Sequence, residues 1–409
     1  MKKKTFLIFT FIHILLLPLF PEMDGGRETL WKTIEQNNLT LKTMRAELKS
    51  CYYETHSGIS MKDPQVNLSY LWNGIEEGSD KRTLSVEQEF DLSLGRKKKV
   101  ADGTFNLMCT KYAKEAAELR KQTYLMVDKY VMLTKRIDYR RMLEKNVEQV
   151  CHLYEKAFKM GECSKLDLNR IQMSYFKVQS DCRKDLSELC EVVVGLMEMN
   201  GGIVTDTANV SYAYDVRKLP QNFDVWYSEY AAFEPGALEM DEKKSLAYNQ
   251  EQLAKSAWWP KFSVGYDSEI GTDEKLRGMS FGLSLPLWEN RNVRKAASAN
   301  RTSSTLEYEE TQKLLYTKYH DLYELTKMLL WSYEKQQESV QGVEESEALL
   351  QKAVRAGEIS LGEYLMEITV FSEVRLEMIQ SEYEYESSKT ELLMIEQASP
   401  SFGELRLVP

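Results

Sequence analysis

The sequence predicts a mainly α chain with a membrane β-barrel portion. Long coiled-coil helical hairpins join two β-hairpins, and the whole unit occurs twice. Three observations carry this reading. No proline interrupts the stretches between Pro64 and Pro220 or between Pro286 and Pro400. Four short segments alternate apolar and polar residues with period two, the mark of strands with one apolar face. Two separate motifs also recur at a single offset of 196 residues.

The chain opens on Lys2, Lys3 and Lys4, followed by an almost wholly apolar run from Phe6 to Phe20. That layout reads as a secretory signal over residues 1–24, too short for a comfortable span; the alternative is an uncleaved anchor. Of 409 residues, 28% are charged and 43% hydrophobic. The charge excludes a polytopic helical membrane protein, and the apolar content excludes a disordered chain. A net charge of −10 argues against a nucleic-acid partner.

The proline-free zones are rich in Leu, Glu, Lys, Met and Ala, with apolar residues three and four apart, as in Leu361, Leu365, Ile368, Phe371, Val374 and Met378. Long helices are expected at Thr104 to Met160 and Asn292 to Ala356, about 85 and 98 Å long. Return helices run from Ser164 to Glu198 and from Leu361 to Gln397, about 52 and 55 Å. Shorter helices near Glu28 to Thr55 and Ala237 to Ser256, stacked on the returns, complete four parallel columns. The segment Leu153–Ser164 matches Leu349–Ser360 at six of twelve positions. Each reads as a helix stopped by glycine and a serine cap opening the next, so each zone is a hairpin with a tight tip.

The second repeated motif is Pro64-Gln-Val-Asn-Leu-Ser-Tyr70 against Pro260-Lys-Phe-Ser-Val-Gly-Tyr266. It opens the β-hairpins expected at 64–92 and 260–288, with polar loops at Asn73 to Arg82 and Ile270 to Arg277. Val66, Leu68, Tyr70, Val86 and Phe90 share the apolar face of the first; Phe262, Val264, Tyr266, Phe281, Leu283 and Leu285 share that of the second. About nine residues per strand is the length a tilted membrane strand needs, and Trp258, Trp259 and Trp288 lie at one end as a girdle would. Four strands cannot close a barrel, and open edges in lipid are forbidden. Lipid-facing strands therefore require several copies in cyclic symmetry, three giving twelve strands. The other reading keeps both hairpins half-buried on a soluble core.

The domain order that follows is signal peptide 1–24, first repeat 25–199, connector 200–236, second repeat 237–397 and tail 398–409. The connector, with Tyr212, Tyr214, Phe223, Trp226 and Tyr227, reads as an irregular aromatic band around the columns, or else as a linker. The six cysteines, from Cys51 to Cys190, match no metal spacing and receive no role; packed free thiols and disulfides both remain open. No phosphate-binding loop, histidine cluster or clustered acid–base pair occurs, so no cofactor and no enzymatic activity are expected.

These features resemble the TolC-like outer-membrane efflux protein family. The resemblance covers nearly the whole chain after the signal. It rests on the duplicated strand–strand–helix–tip–helix unit, on Phe90-Asp-Leu-Ser-Leu-Gly-Arg96, and on two Gly-Glu-x-Ser tips followed by Leu166-Asp167 and Leu361-Gly-Glu363. It implies a homotrimer in the outer membrane of a Gram-negative bacterium, extending into the periplasm. The function implied is the duct of a tripartite efflux or type I secretion system, passively exporting small molecules, drugs or metal ions. The implied partners are a periplasmic adaptor, an inner-membrane pump and outer-membrane lipid. Gly161, Glu162, Ser164, Gly357, Glu358 and Ser360 would meet the adaptor. Asp167 and Glu363 would ring the closed aperture, where like charges raise one another's pKa; the plainer account is two carboxylates favoured by the helix dipole. A periplasmic coiled-coil scaffold is the alternative for the whole chain.

Overall fold

The computed structural model describes residues 25–72, 80–204, 213–271, 274–285 and 291–397. The expected signal at 1–24, the tail at 398–409, part of both hairpin loops, Tyr212 and Trp288 lie outside the described residues.

Two helices, α1 (Gly25–Asn37) and α2 (Leu39–His56), lead into strands β1 (Gln65–Leu71) and β2 (Lys81–Phe90). The chain continues through α3 (Leu94–Met160) and returns as α4 (Lys165–Met199). A short helix, α5 (Phe223–Tyr230), and a single 3-10 turn (Ala231–Phe233) occupy the connector. The pattern then recurs: α6 (Pro235–Ser256), β3 (Lys261–Ile270), β4 (Lys275–Ser284), α7 (Arg291–Val340), α8 (Val343–Ala356) and α9 (Leu361–Gln397).

Three expectations need correction. The helix expected from Glu28 to Thr55 breaks at Asn38, whose side chain accepts the Leu41 N–H at 3.0 Å and donates to the Met199 carbonyl at 2.9 Å. The amide thus caps α2 and ties the α1–α2 junction to the end of α4. The helix expected from Asn292 to Ala356 breaks at Gly342, which takes the left-handed conformation with φ 90° between α7 and α8. Finally, α3 begins ten residues before Thr104, so its 67 residues span about 100 Å.

The columns are held by three apolar clusters. One joins Leu30, Trp31 and Ile34 of α1 and Leu41 of α2 to Tyr124, Val127 and Leu133 of α3 and to Leu196 of α4. A second, at the far end, joins both tips: Val147 and Val150 of α3, Ile171 of α4, Val354 of α8, and Tyr364 and Ile368 of α9. The third is the aromatic band: Phe223, Trp226 and Tyr227 of α5 pack on Tyr319 and Tyr323 of α7 and on Leu392 and Leu393 of α9. The Trp226 indole donates to Glu396 at 2.7 Å, satisfying the buried N–H.

The first cluster also encloses an ion pair. Arg27 of α1 reaches Asp128 of α3, and both side chains are almost wholly buried. Arg27 lies 101 residues away in sequence, which is why no local pattern announces the pair.

Candidate functional site

The four strands form one antiparallel sheet in the order β1-β2-β3-β4, so the two hairpins pair with each other through β2 and β3. The register sorts the side chains into two faces. Val66 lies opposite Val86, Val86 opposite Tyr266, and Tyr266 opposite Met279. Leu68 and Leu84 continue that face toward the loops, while Val264 with Phe281, and Phe90 with Phe262 and Leu283, continue it toward the helices. Every strand residue expected to be apolar and outward-facing therefore shares one face; Tyr70 and Leu285 extend it at either end. The opposite face is polar: Asn67, Ser85, Asp267 and Gly278 form one row, and Gln65, Glu87, Gly265 and Ser280 the next.

Among the described residues, no helix covers the apolar face. Val66 is 62% exposed, Leu68 80%, Phe281 76% and Leu285 57%. Among the described residues both outer strands pair on one side only, leaving two open edges, and they are exposed along their whole length. An isolated soluble protein blunts such edges or hides such a face. No described helix is long and apolar enough to cross a membrane.

At the helix-facing end of the sheet the chain turns sharply between β2 and α3. Asp91 accepts the Ser93 N–H at 2.7 Å and its hydroxyl at 2.6 Å, and pairs with Lys97 at 2.7 Å. Partial burial raises the Asp91 carboxyl, but the Lys97 pair and the Ser93 hydrogen bonds outweigh it and hold the group down to about 2. Of the expected girdle, Trp258 and Trp259 are part-exposed beside the start of β3.

The tips lie at the opposite end of the molecule and are built alike. Gly161 ends α3 with φ 76° and Gly357 ends α8 with φ 74°. The following amides close the turn: Glu162 N–H donates to the Ala157 carbonyl at 2.8 Å and Glu358 N–H to that of Ala353 at 2.9 Å. This is the Schellman closure, which needs a left-handed residue. Ser164 then caps α4 by accepting the Asp167 N–H at 3.1 Å, and Ser360 caps α9 by accepting the Glu363 N–H at 3.2 Å. Gly161, Glu162, Ser164, Gly357, Glu358 and Ser360 are all exposed.

The two candidate aperture carboxylates take part in these caps. Asp167 accepts the Ser164 hydroxyl at 2.6 Å, and Glu363 reaches back to accept the Ser360 N–H at 2.8 Å. The backbone and hydroxyl hydrogen bonds of Ser360 hold Glu363 below its ordinary carboxyl range. Within one chain, then, both groups act as helix-capping carboxylates.

One feature near the second tip escaped the sequence reading. A cleft of about 730 Å³ lies between α3, α8 and α9, lined by Lys135, Tyr139, Asn146, Glu347, Gln351 and Arg375 among others. Tyr139 donates to the buried Glu347 at 2.7 Å in its wall. Burial, with Glu347 beside it, pushes the Tyr139 hydroxyl up.

No protein-family model and no curated protein matches the chain by sequence. Solved structures match it closely in shape. CusC, a protein that forms a transmembrane channel, superposes with a TM-score of 0.75 at 15% identity, over 91% of this chain and 92% of that one. The Campylobacter jejuni CmeC outer-membrane channel gives 0.73 at 15% identity, over 93% and 88%. The open state of the Neisseria gonorrhoeae MtrE outer-membrane channel gives 0.71 at 12% identity, over 90% and 88%. The chain has the fold of the TolC-like outer-membrane channels.

Proposed function

We propose that this chain is the outer-membrane duct of a tripartite efflux or type I secretion system. Three copies share a twelve-stranded barrel, each giving one four-stranded sheet, and a helical barrel continues the passage across the periplasm. The two halves, 25–199 and 237–397, are copies of one ancestral unit joined by the connector 200–236.

The observation that carries the reading is the sheet: apolar on one face, polar on the other, with neither edge paired. Hydrocarbon solvates the first face, water in a lumen solvates the second, and neighbouring copies satisfy the edges. The outer helices agree. Leu314, Met328 and Trp331 of α7, and Met173 and Phe176 of α4, are exposed apolar side chains on columns that flank the monomer. Burying them against a sister copy supplies association energy that the monomer lacks.

In this reading the tips Gly161–Ser164 and Gly357–Ser360 dock a periplasmic adaptor, which connects to an inner-membrane pump. Asp167 and Glu363, brought together in threefold symmetry, edge the aperture, and transport through the duct is passive. Reconstitution tests the proposal. Purified protein in detergent is expected as a trimer that conducts ions in planar bilayers. Monomeric, non-conducting protein released from membranes by carbonate would favour the periplasmic scaffold instead. The docking role is tested with Gly161→Val and Gly357→Val, which disfavour the left-handed turn. Efflux in cells is expected to fall while trimers persist; unchanged efflux in both variants would remove the tips from the docking site.

A further inference from the structure

The strand-to-helix junctions carry a rim of positive charge. β2 passes into α3, and β4 ends beside it, at one edge of the sheet, because Phe90 pairs with Phe262 and Phe262 with Leu283. Arg96, Lys97, Lys98 and Lys99 crowd the start of α3, and Arg294 and Lys295 the start of α7. Like α2 and α6, neither helix has an acidic residue in its first turn, whereas α1, α4, α5 and α9 each have one; only α3 and α7 follow a strand and open on clustered cations. Cations there oppose the helix dipole, so helix stability does not account for them.

Two of the six cations are committed within the chain: Lys97 pairs with Asp91 at 2.7 Å, and the Arg96 guanidinium lies over the Trp259 ring at 4.4 Å. Lys98, Lys99, Arg294 and Lys295 are exposed and have no ionic partner among the described residues. Several acids close by are paired elsewhere: Glu89 with Lys62 and Lys261, Glu251 with Lys255 and Arg301, and Asp102 with His56.

We propose that this rim binds the phosphates of anionic phospholipid headgroups in the leaflet nearest the helices. The inference rests on the membrane reading of the sheet. The apolar face begins at Phe90, Phe262 and Leu283, immediately beyond the rim, so acyl chains along that face bring their headgroups level with these cations. Trp258 and Trp259 stand in the same band, where amphipathic rings favour the headgroup layer. Together, cations and indoles fix the depth at which the sheet sits in the bilayer.

The test uses the full-length protein in detergent, titrated with phosphatidylglycerol or phosphatidylcholine and followed by native mass spectrometry. The native protein is expected to retain phosphatidylglycerol preferentially. A variant carrying Lys98→Gln, Lys99→Gln, Arg294→Gln and Lys295→Gln is expected to lose at least about tenfold of that affinity and none of its affinity for phosphatidylcholine. A variant neutralising Lys42, Lys177, Arg183 and Lys313 on the columns is expected to bind as the native protein does. Native-like binding by the rim variant, or equal loss in the column variant, would overturn the proposal. So would displacement of the lipid by inorganic phosphate, which would mark a free-ion site, or altered ion selectivity with unchanged lipid binding, which would turn the cations toward the duct. Carbonate extraction from vesicles separates the two levels. Native protein that fails to stay with the bilayer sinks the membrane reading and this proposal with it. Inserted rim variant with native lipid affinity sinks this proposal alone.

Discussion

The two long ascending columns make the most informative comparison in the molecule. In the first half α3 runs unbroken for 67 residues, with α2, α4, α6 and α9 packed around it. Its apolar residues Tyr124, Val127 and Leu133 are fully enclosed. In the second half the same stretch is divided into α7 and α8, and α7 leaves Leu314, Met328 and Trp331 bare. The residue 196 positions before Gly342 is Asn146, helical in α3, whereas Gly342 is left-handed. Asp128, buried against Arg27, has Glu324 at the matching position, half-exposed beside Lys327. The first column is enclosed within the chain; the second leaves its apolar side chains exposed, as the proposed assembly requires.

That contrast can be broken at several points. The largest effect is expected at the buried pair. Burial already pushes the Asp128 carboxyl up to about 7 beside Arg27, so Arg27→Ala leaves a protonated carboxyl buried without its partner and a void where the arginine packed, and should lower stability by about 3–5 kcal/mol. Lys327→Ala, which removes the partner of Glu324, should change it by less than about 0.5 kcal/mol. Denaturant titration of both variants checks the difference.

The next comparison sets a filled core site against a bare one. Leu133→Ala in α3 should lower stability by about 2–5 kcal/mol through the cavity it leaves. Trp331→Ala in α7 should leave the stability of the single chain within about 0.5 kcal/mol while weakening its assembly, as read by sedimentation across a concentration series.

A third prediction concerns pH. The folded Asp91 carboxyl sits near 2, against an ordinary 3.8. Its stabilisation of the β2–α3 turn is therefore full above about pH 4 and is lost as pH falls through 2. Thermal melts of native protein and Asp91→Asn should differ by about 1 kcal/mol near neutrality, once solvent screening is allowed for, and converge in acid. A fourth prediction concerns the break. Gly342→Asn should cost under about 1 kcal/mol because asparagine tolerates the left-handed region, and Gly342→Val about 1–2 kcal/mol.

Much of this architecture was legible because the signals are local. A glycine followed by a serine cap specifies the same turn at 161 and 357, since left-handed closure and hydroxyl capping need only neighbouring residues. Period-two alternation likewise marked Val66, Phe90, Phe262 and Phe281 as apolar-face residues of their strands, and the pairing then joined those faces into one. The pairing of β2 with β3 was not legible, because its partners lie about 180 residues apart in sequence, as Val86 and Tyr266 do. The Arg27–Asp128 contact failed for the same reason, although an aspartate one residue after Val127 in an apolar stripe was a usable clue. Gly342 was visible but ambiguous, because an isolated glycine inside a helical pattern is tolerated as often as it breaks one. For the tip carboxylates, the family resemblance pointed to Asp167 and Glu363, but the caps they close depend on side-chain hydrogen bonds that sequence does not reveal.

The account depends most on the open edges of the sheet. In a background with the six native cysteines replaced by serine, Asn67→Cys on β1 is combined in turn with Gly278→Cys, Ser280→Cys or Gly282→Cys on β4, and the protein is oxidised in membranes. Shared-barrel assembly predicts covalent dimers and closed trimers for at least one pairing, and none for β1 or β4 cysteines alone. Chains that stay uncrosslinked in every pairing, with both edges accessible to a thiol reagent, would contradict it.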